Sequence, residues 1–134
     1  MSSLRVKGFG PQVEAVATDV IGAAIEVHRE LGAGHLECVY EDAMAIELAL
    51  RKIPFERQKS LPVFFKGHKL HEGRVDFVVA KLLALELKAV AALGEIHTAI
   101  TVSYLKALRQ PLGILINFNV AVLRDGLRRV VFTK

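Results

Sequence analysis

One stretch limits this chain more than any other: "RVDFVVAKLLALELKAV", Arg74 to Val90. It is β-prone and almost wholly apolar, so it must be buried on at least one side. Yet Asp76, Glu86 and Lys88 interrupt it, and an ionised group inside apolar surroundings is costly unless it is paired, hydrated or used. Two strands, about Gly73–Ala80 and Leu82–Lys88, folded as an antiparallel hairpin centred on Lys81, place Asp76 opposite Glu86 and Val78 opposite Ala84. Strict alternation then puts Asp76, Val78, Ala84, Glu86 and Lys88 on one face. Phe77, Val79, Leu83, Leu85 and Leu87 take the other, a uniformly large apolar face suited to packing on helices. The Ala80-Lys81-Leu82 connection lacks the glycine or asparagine usual in a tight turn.

Directly opposed like charges destabilise a sheet, and a bound divalent cation removes that cost. Magnesium suits such a place, because it takes oxygen ligands and keeps waters that a substrate phosphate can replace. Lys88 then stands beside the ion, where an amine can orient a water or meet phosphate charge. The plain alternative is that Lys88 closes a salt bridge with Glu86 or Asp76.

The surrounding pattern indicates an α/β fold: a single domain spanning residues 1–134, with a central mixed β-sheet flanked by helices. Residues 1–10 are expected to form a flexible N-terminus. Apolar residues recur at helical spacing from Pro11 to Leu31, with Gly32 just beyond, and a second helix fits Leu36 to Lys52, before Pro54. "FERQKSLPVFFKGHKL" holds short β-prone pieces punctuated by Pro62 and Gly67. A third helix fits Ile96 to Leu108, and "LGILINF" reads as a buried strand. "VLRDGLRRVVF" reads as a hairpin around Asp125-Gly126. Helices and strands in this order describe a mixed domain around one sheet.

Composition narrows the function. With 134 residues, 52% apolar and 24% charged, the chain can bury a real core. Its mean hydropathy of +0.37 leaves room for a homodimer contact. No apolar run reaches the roughly 18 residues needed to span a bilayer, and "MSSLRVKGFG" lacks a secretion signal's apolar core. Cys38 is the only cysteine, which rules out an intrachain disulfide and a cysteine-based zinc site; a reducing, cytoplasmic setting is the expectation. Charge is unevenly placed. Residues 51–74 carry 7 basic and 2 acidic side chains and residues 105–134 carry 6 and 1, whereas residues 1–50 carry 3 and 8. Basic segments beside an acidic cluster could guide a polyanion toward a bound metal, although solvated surface looks the same in composition.

Asp76 followed by Glu86-x-Lys88 resembles the signature of PD-(D/E)XK nucleases. "GHLECVY", Gly34 to Tyr40, matches the pattern that names the GxxExxY protein family, a branch of that superfamily. "VHRELGAG" at 27–34, "KIPFERQ" at 52–58, "ELKAV" at 86–90, "SYLKA" at 103–107 and "DGLRRVV" at 125–131 follow in the family's order. The resemblance implies a restriction-endonuclease-like core and metal-dependent hydrolysis of DNA or RNA, with Mg2+ or alternatively Mn2+. It implies Asp76, Glu86 and the Leu87 carbonyl as metal ligands, Lys88 as the catalytic lysine, and Glu37 as a helix-borne carboxylate for the metal or its water. Tyr40 reads as packing or as a hydrogen bond bracing the site. Relatives usually carry a glutamine in an "IHxAQ" stretch where this chain has Ile100, which raises a rival: a binding or interaction module with little catalysis. His28 and His97 each match a family histidine and read as structural. Arg74, Tyr104, Lys106 and Arg128 are candidates for nucleic-acid contact. Arg74 is expected on Asp76's sheet face, and Cys38 as inert packing.

Overall fold

The computed structural model describes residues 9–132. The expected flexible segment 1–10 therefore falls almost wholly outside the described residues. Helix α1 runs Pro11–Leu31 and α2 runs Glu37–Leu50. They are followed by β1 (Phe55–Leu61), the two-residue strands β2 (Phe64–Phe65) and β3 (His68–Lys69), β4 (Gly73–Val79) and β5 (Leu83–Lys88). Helix α3 (Glu95–Leu108) leads to β6 (Leu112–Asn117), and β7 (Leu127–Val131) closes the order. Five strands form one mixed sheet in the order β1-β4-β5-β6-β7; only the β5–β6 pair is parallel, joined by the α3 crossover. Strands β2 and β3 form a separate two-stranded ribbon.

Each helix forms for reasons visible in its sequence. Proline occupies the first turn of α1, where its missing N–H costs nothing, and Gly32 ends the helix at φ +70°. The buried stripe of α1 is mostly small: Ala17, Val20, Ala23, Ala24 and Val27. Helix α2 buries Tyr40, Met44 and Leu48, one residue per turn. Both helices cover one face of the sheet, against Phe77, Val79, Leu83, Leu85, Leu87 and Ile114, all at most 1% exposed. Burying side chains of this size contributes on the order of 1.5–3 kcal/mol each. The other face carries a smaller cluster of Leu61, Val75, Val78, Ala84, Leu115 and Val130 under Leu105 of α3. Among the described residues no helix is long and apolar enough to cross a membrane.

Three expectations need correction. Asp125-Gly126 does not turn a two-residue hairpin; it ends a 3-10 turn, Leu123–Gly126, in the longer connection through which β7 pairs antiparallel with the preceding strand β6. Leu123 is drawn into the α1 side of the core, and a Cβ on Gly126 would come within 2.1 Å of the Asn117 carbonyl oxygen. That glycine is there for a close crossing. Cys38 is not packed but exposed, because it lies two residues, about 200° of helix rotation, from Tyr40 on the buried stripe. The alternation that placed Arg74 on Asp76's face also fails. Val75 and Val78 share the α3-side cluster while Phe77 and Val79 lie in the other, so the strand slips by one position around Asp76.

Candidate functional site

The slip has a local cause. The β4–β5 ladder keeps the expected register, Phe77 with Leu85, Val78 with Ala84 and Val79 with Leu83, but stops there. Beyond it the two acids turn into the gap between the strands. Glu86 Oε1 accepts the Asp76 backbone N–H at 3.1 Å, and Asp76 Oδ2 accepts the Leu87 N–H at 2.8 Å. Each carboxylate replaces a carbonyl of its own strand as the partner of the other strand's donor. This differs from two acids standing side by side on a flat face: they are tied crosswise, with backbone donors leaving little of either exposed (8% for Asp76, 5% for Glu86). On the other side of β4, Gln58 sits at φ +53° in the β1–β4 ladder, between the Arg57–Phe77 and Lys59–Val75 pairs. Its side-chain amide donates to Asp76 Oδ1 and to Glu41 Oε1, both at 3.0 Å. Gln58 thus links α2 to the acid pair.

Electrostatics follow from that geometry. Burial pushes the Glu86 carboxyl up to about 8, and the neighbouring Asp76 adds to the rise. Burial also raises Asp76, opposed mainly by the Leu87 N–H that it accepts. Glu37, at the first position of α2, is exposed as a residue, yet partial burial of its carboxyl raises it, opposed by Lys88 and reinforced by Asp76. Lys88 is half-buried, and no acid lies within ion-pairing distance of it among the described residues. The plain alternative, a salt bridge of Lys88 with Asp76 or Glu86, is not formed. With no ion-paired cation, the two buried acids favour holding a proton between them, which a bound divalent cation would displace.

The donor set consists of oxygens alone, which suits a hard divalent cation such as Mg2+ or Mn2+. Glu86 Oε2 has no hydrogen bond among the described residues and is open to a ligand. No group of three or more His, Cys, Asp or Glu side chains is gathered tightly enough to hold an ion among the described residues, so Glu37 does not close on the pair. An ion held by Asp76 and Glu86 would complete its shell from water, phosphate or backbone oxygen.

The remaining candidates separate. Tyr104 of α3 lies against β4, its ring within 3.2 Å of where a Cβ on Gly73 would be, and burial followed by the charges of Glu86 and Asp76 raises its hydroxyl. Arg74 is exposed and near Glu72. Lys106 lies further along α3, over the Phe132 ring at 5.9 Å, in a pocket with Arg109 and Gln110 that includes none of the site acids. Arg128 is a brace, donating to Thr98 Oγ1 at 2.7 Å and to the Gly94 carbonyl. Tyr40 donates to the Gly32 carbonyl at 2.6 Å and stacks on Phe118. His97 Nδ1 accepts the Gly94 N–H at the start of α3, and His28 Nε2 meets the Val120 carbonyl, so both histidines hold structure. Ile100 is half-buried on α3. Gln58 was missed as a site residue; its signal was its place at the end of "KIPFERQ".

A family model described as the PD-(D/E)XK nuclease superfamily matches residues 14–130. Among solved structures, the crystal structure of SSO0001 is similar with a TM-score of 0.56 and 16% sequence identity, over 72% of this chain and 50% of that chain. A likeness at that identity is one of fold, and this chain spans about half the length of that protein. No curated protein matches.

Proposed function

The chain belongs to the PD-(D/E)XK nuclease superfamily, and on that footing we propose that it hydrolyses phosphodiester bonds of DNA or RNA with a divalent cation, Mg2+ or Mn2+. The observation that carries the reading is the crosswise Asp76–Glu86 pair, buried and without an ion-paired cation, with an unpaired Lys88 beside it. The "GHLECVY" stretch assigns the chain, within this proposal, to the GxxExxY branch.

Asp76 and Glu86 would hold the cation, with the Leu87 backbone carbonyl as a further oxygen and Glu37 reaching the ion's water from α2. When bound, the cation supplies charge stabilisation at phosphorus and a more acidic water. Gln58 fixes the Asp76 carboxylate through Oδ1, so its orientation does not depend on the ion. Lys88 meets the non-bridging phosphate oxygens with a charge that no protein acid already neutralises.

The rival reading, a nucleic-acid-binding or protein-interaction module with little catalysis, is favoured by one residue. Ile100 offers no polar atom at the position where the resemblance expects glutamine. The test is a cleavage assay on plasmid, linear duplex, single-stranded DNA and RNA in Mg2+, Mn2+ or EDTA. Metal-dependent cutting, lost by at least about 10²-fold in Asp76→Ala and Lys88→Ala, is the expected result. Binding without cutting, indifferent to both substitutions, supports the module instead.

A further inference from the structure

Eleven residues leave the sheet after Leu61 and return at Gly73, and they carry what the site itself does not use. Strands β2 and β3 pair Phe64 with Lys69 and Phe65 with His68 across the Lys66-Gly67 turn. Both turn residues have positive φ, +50° and +83°, the requirement of a two-residue type I′ hairpin. The tip is therefore a short, pre-set ribbon. Phe64 is 61% exposed and Phe65 60%, on opposite faces, because they are consecutive in a strand. Each ring shares its face with a basic or imidazole side chain across the ribbon. Lys66 lies over the Phe65 ring at 5.4 Å and has no acidic partner among the described residues.

Exposed rings on both faces of a ribbon give nothing to the protein's own core. Their position gives them a use. Leu61 and Gly73 are the root of the ribbon and pair directly. Asp76 lies three residues further along β4, about 10 Å at strand rise. Tyr104 spans that interval, packed on Gly73 and within reach of the acids' charge. The ribbon therefore projects from the end of the sheet that carries the site, opposite the Ala80-Lys81 turn.

We propose that the β2–β3 ribbon is a strand-holding arm: Phe64 and Phe65 stack on unpaired bases while Lys66 and its basic neighbours hold the phosphates, so that the substrate is single-stranded or locally unpaired nucleic acid. Base–aromatic stacking tolerates any base and needs one that is free of its own stack. The arm's own charge supports this occupant: between residues 62 and 72 Lys66 has no acidic partner among the described residues, Lys69 is paired only with the exposed Glu72, and Arg74 stands exposed just past the root, a cationic rim suited to a polyanion. The inference deepens the nuclease reading and rests on it for what happens to the strand once held.

Binding is measured in EDTA with labelled oligothymidylate, oligouridylate and a blunt DNA duplex, using the full chain. For wild type, the single strands bind more tightly than the duplex. Replacing both rings (Phe64→Ala with Phe65→Ala) lowers single-strand affinity by about ten-fold or more and duplex affinity by less than about two-fold. The chain has no tryptophan, so Phe64→Trp places a single reporter on the arm; its emission is quenched on adding oligothymidylate and not on adding duplex, and single-strand affinity is kept. Single-strand affinity unchanged in the alanine pair, or equal losses on single strand and duplex, overturns the proposal. So does a dimer seen by sedimentation, or binding to anionic lipid vesicles, that the alanine pair abolishes while nucleic-acid affinity stays the same. Because no metal is present, the result stands apart from cleavage. A chain that never cuts but loses single strands with the alanine pair refutes the nuclease and keeps the arm. One that cuts all substrates equally well with or without the rings does the reverse.

Discussion

Strands β4 and β5 are one hairpin with two unlike ends. At the turn end, Val78 faces Ala84 and Val79 faces Leu83 in a regular ladder, dry on both sides. At the open end, a few residues away, ladder bonds give way to carboxylates that accept the opposite strand's N–H groups. The first end minimises free energy with apolar contact. The second buries two acids whose joint ionisation is costly and leaves a lysine without an ion-paired partner. A chain selected for stability alone would carry the first pattern throughout, so the contrast marks where stability is given up, and the proposed nuclease reading assigns that end to chemistry.

The contrast predicts opposite consequences for substitutions less than ten residues apart. Glu86→Gln keeps an oxygen for the Asp76 N–H but removes the charge. Cleavage in Mg2+ should fall about 10²–10³-fold, while the midpoint of urea unfolding in EDTA at pH 8 stays level or rises. Phe77→Ala, on the α1–α2 face, should cost about 3–5 kcal/mol in the same unfolding experiment. If Glu86→Gln instead destabilised the metal-free protein by as much as Phe77→Ala, the acids would be structural, and the two ends would not differ in kind.

Much of the regular end was legible in the sequence. Alternation from Phe77 to Leu87 identifies the face of large side chains that packs on α1 and α2, and symmetry about Lys81 gives the register, because both depend only on side-chain type with period two. Helix α1 was legible for similar reasons, bracketed by Pro11 and Gly32. The open end was only half legible. Residue type brought Asp76 and Glu86 together, but the face slip depends on Gln58 adopting a left-handed backbone and on carboxylates outcompeting carbonyls for N–H donors. Neither leaves a periodic trace. Asp125-Gly126 misled for a related reason: the dipeptide is a hairpin signal only when strands flank it, and here burial of Leu123 shaped the preceding residues into a 3-10 turn.

Titration should also set the two ends apart. Glu86 keeps its proton to about pH 8 in the fold, against 4.5 for a free side chain. Between those values the native state binds more protons than the unfolded chain, so stability must fall as pH rises and level off above about 8. Asp76 is shifted in the same direction. In EDTA, the thermal midpoint should decline from pH 5 to pH 8, and Mg2+ should raise it more at pH 8 than at pH 5, since a cation binds the ionised acids. Glu86→Gln should flatten most of the decline. A midpoint flat across this range in wild type would mean that the acids feel no cost from burial.

The smallest effect tests whether the dry end is separate from the site. Ala80 and Lys81 both have positive φ, +53° and +58°, where a side chain is strained. Lys81 is exposed, and its contribution to the turn is a backbone carbonyl that accepts from Gln110 at 3.0 Å. Lys81→Gly therefore keeps that hydrogen bond and removes the strain, at the expense of more freedom in the unfolded chain. A net gain of about 0.5–1 kcal/mol is expected in urea unfolding. Cleavage should stay within about two-fold, because sites this far apart with no shared partners act independently. If the glycine changed cleavage by more than that, relief at the turn would be reaching the acids along the ladder, and the hairpin would behave as one body instead of two ends.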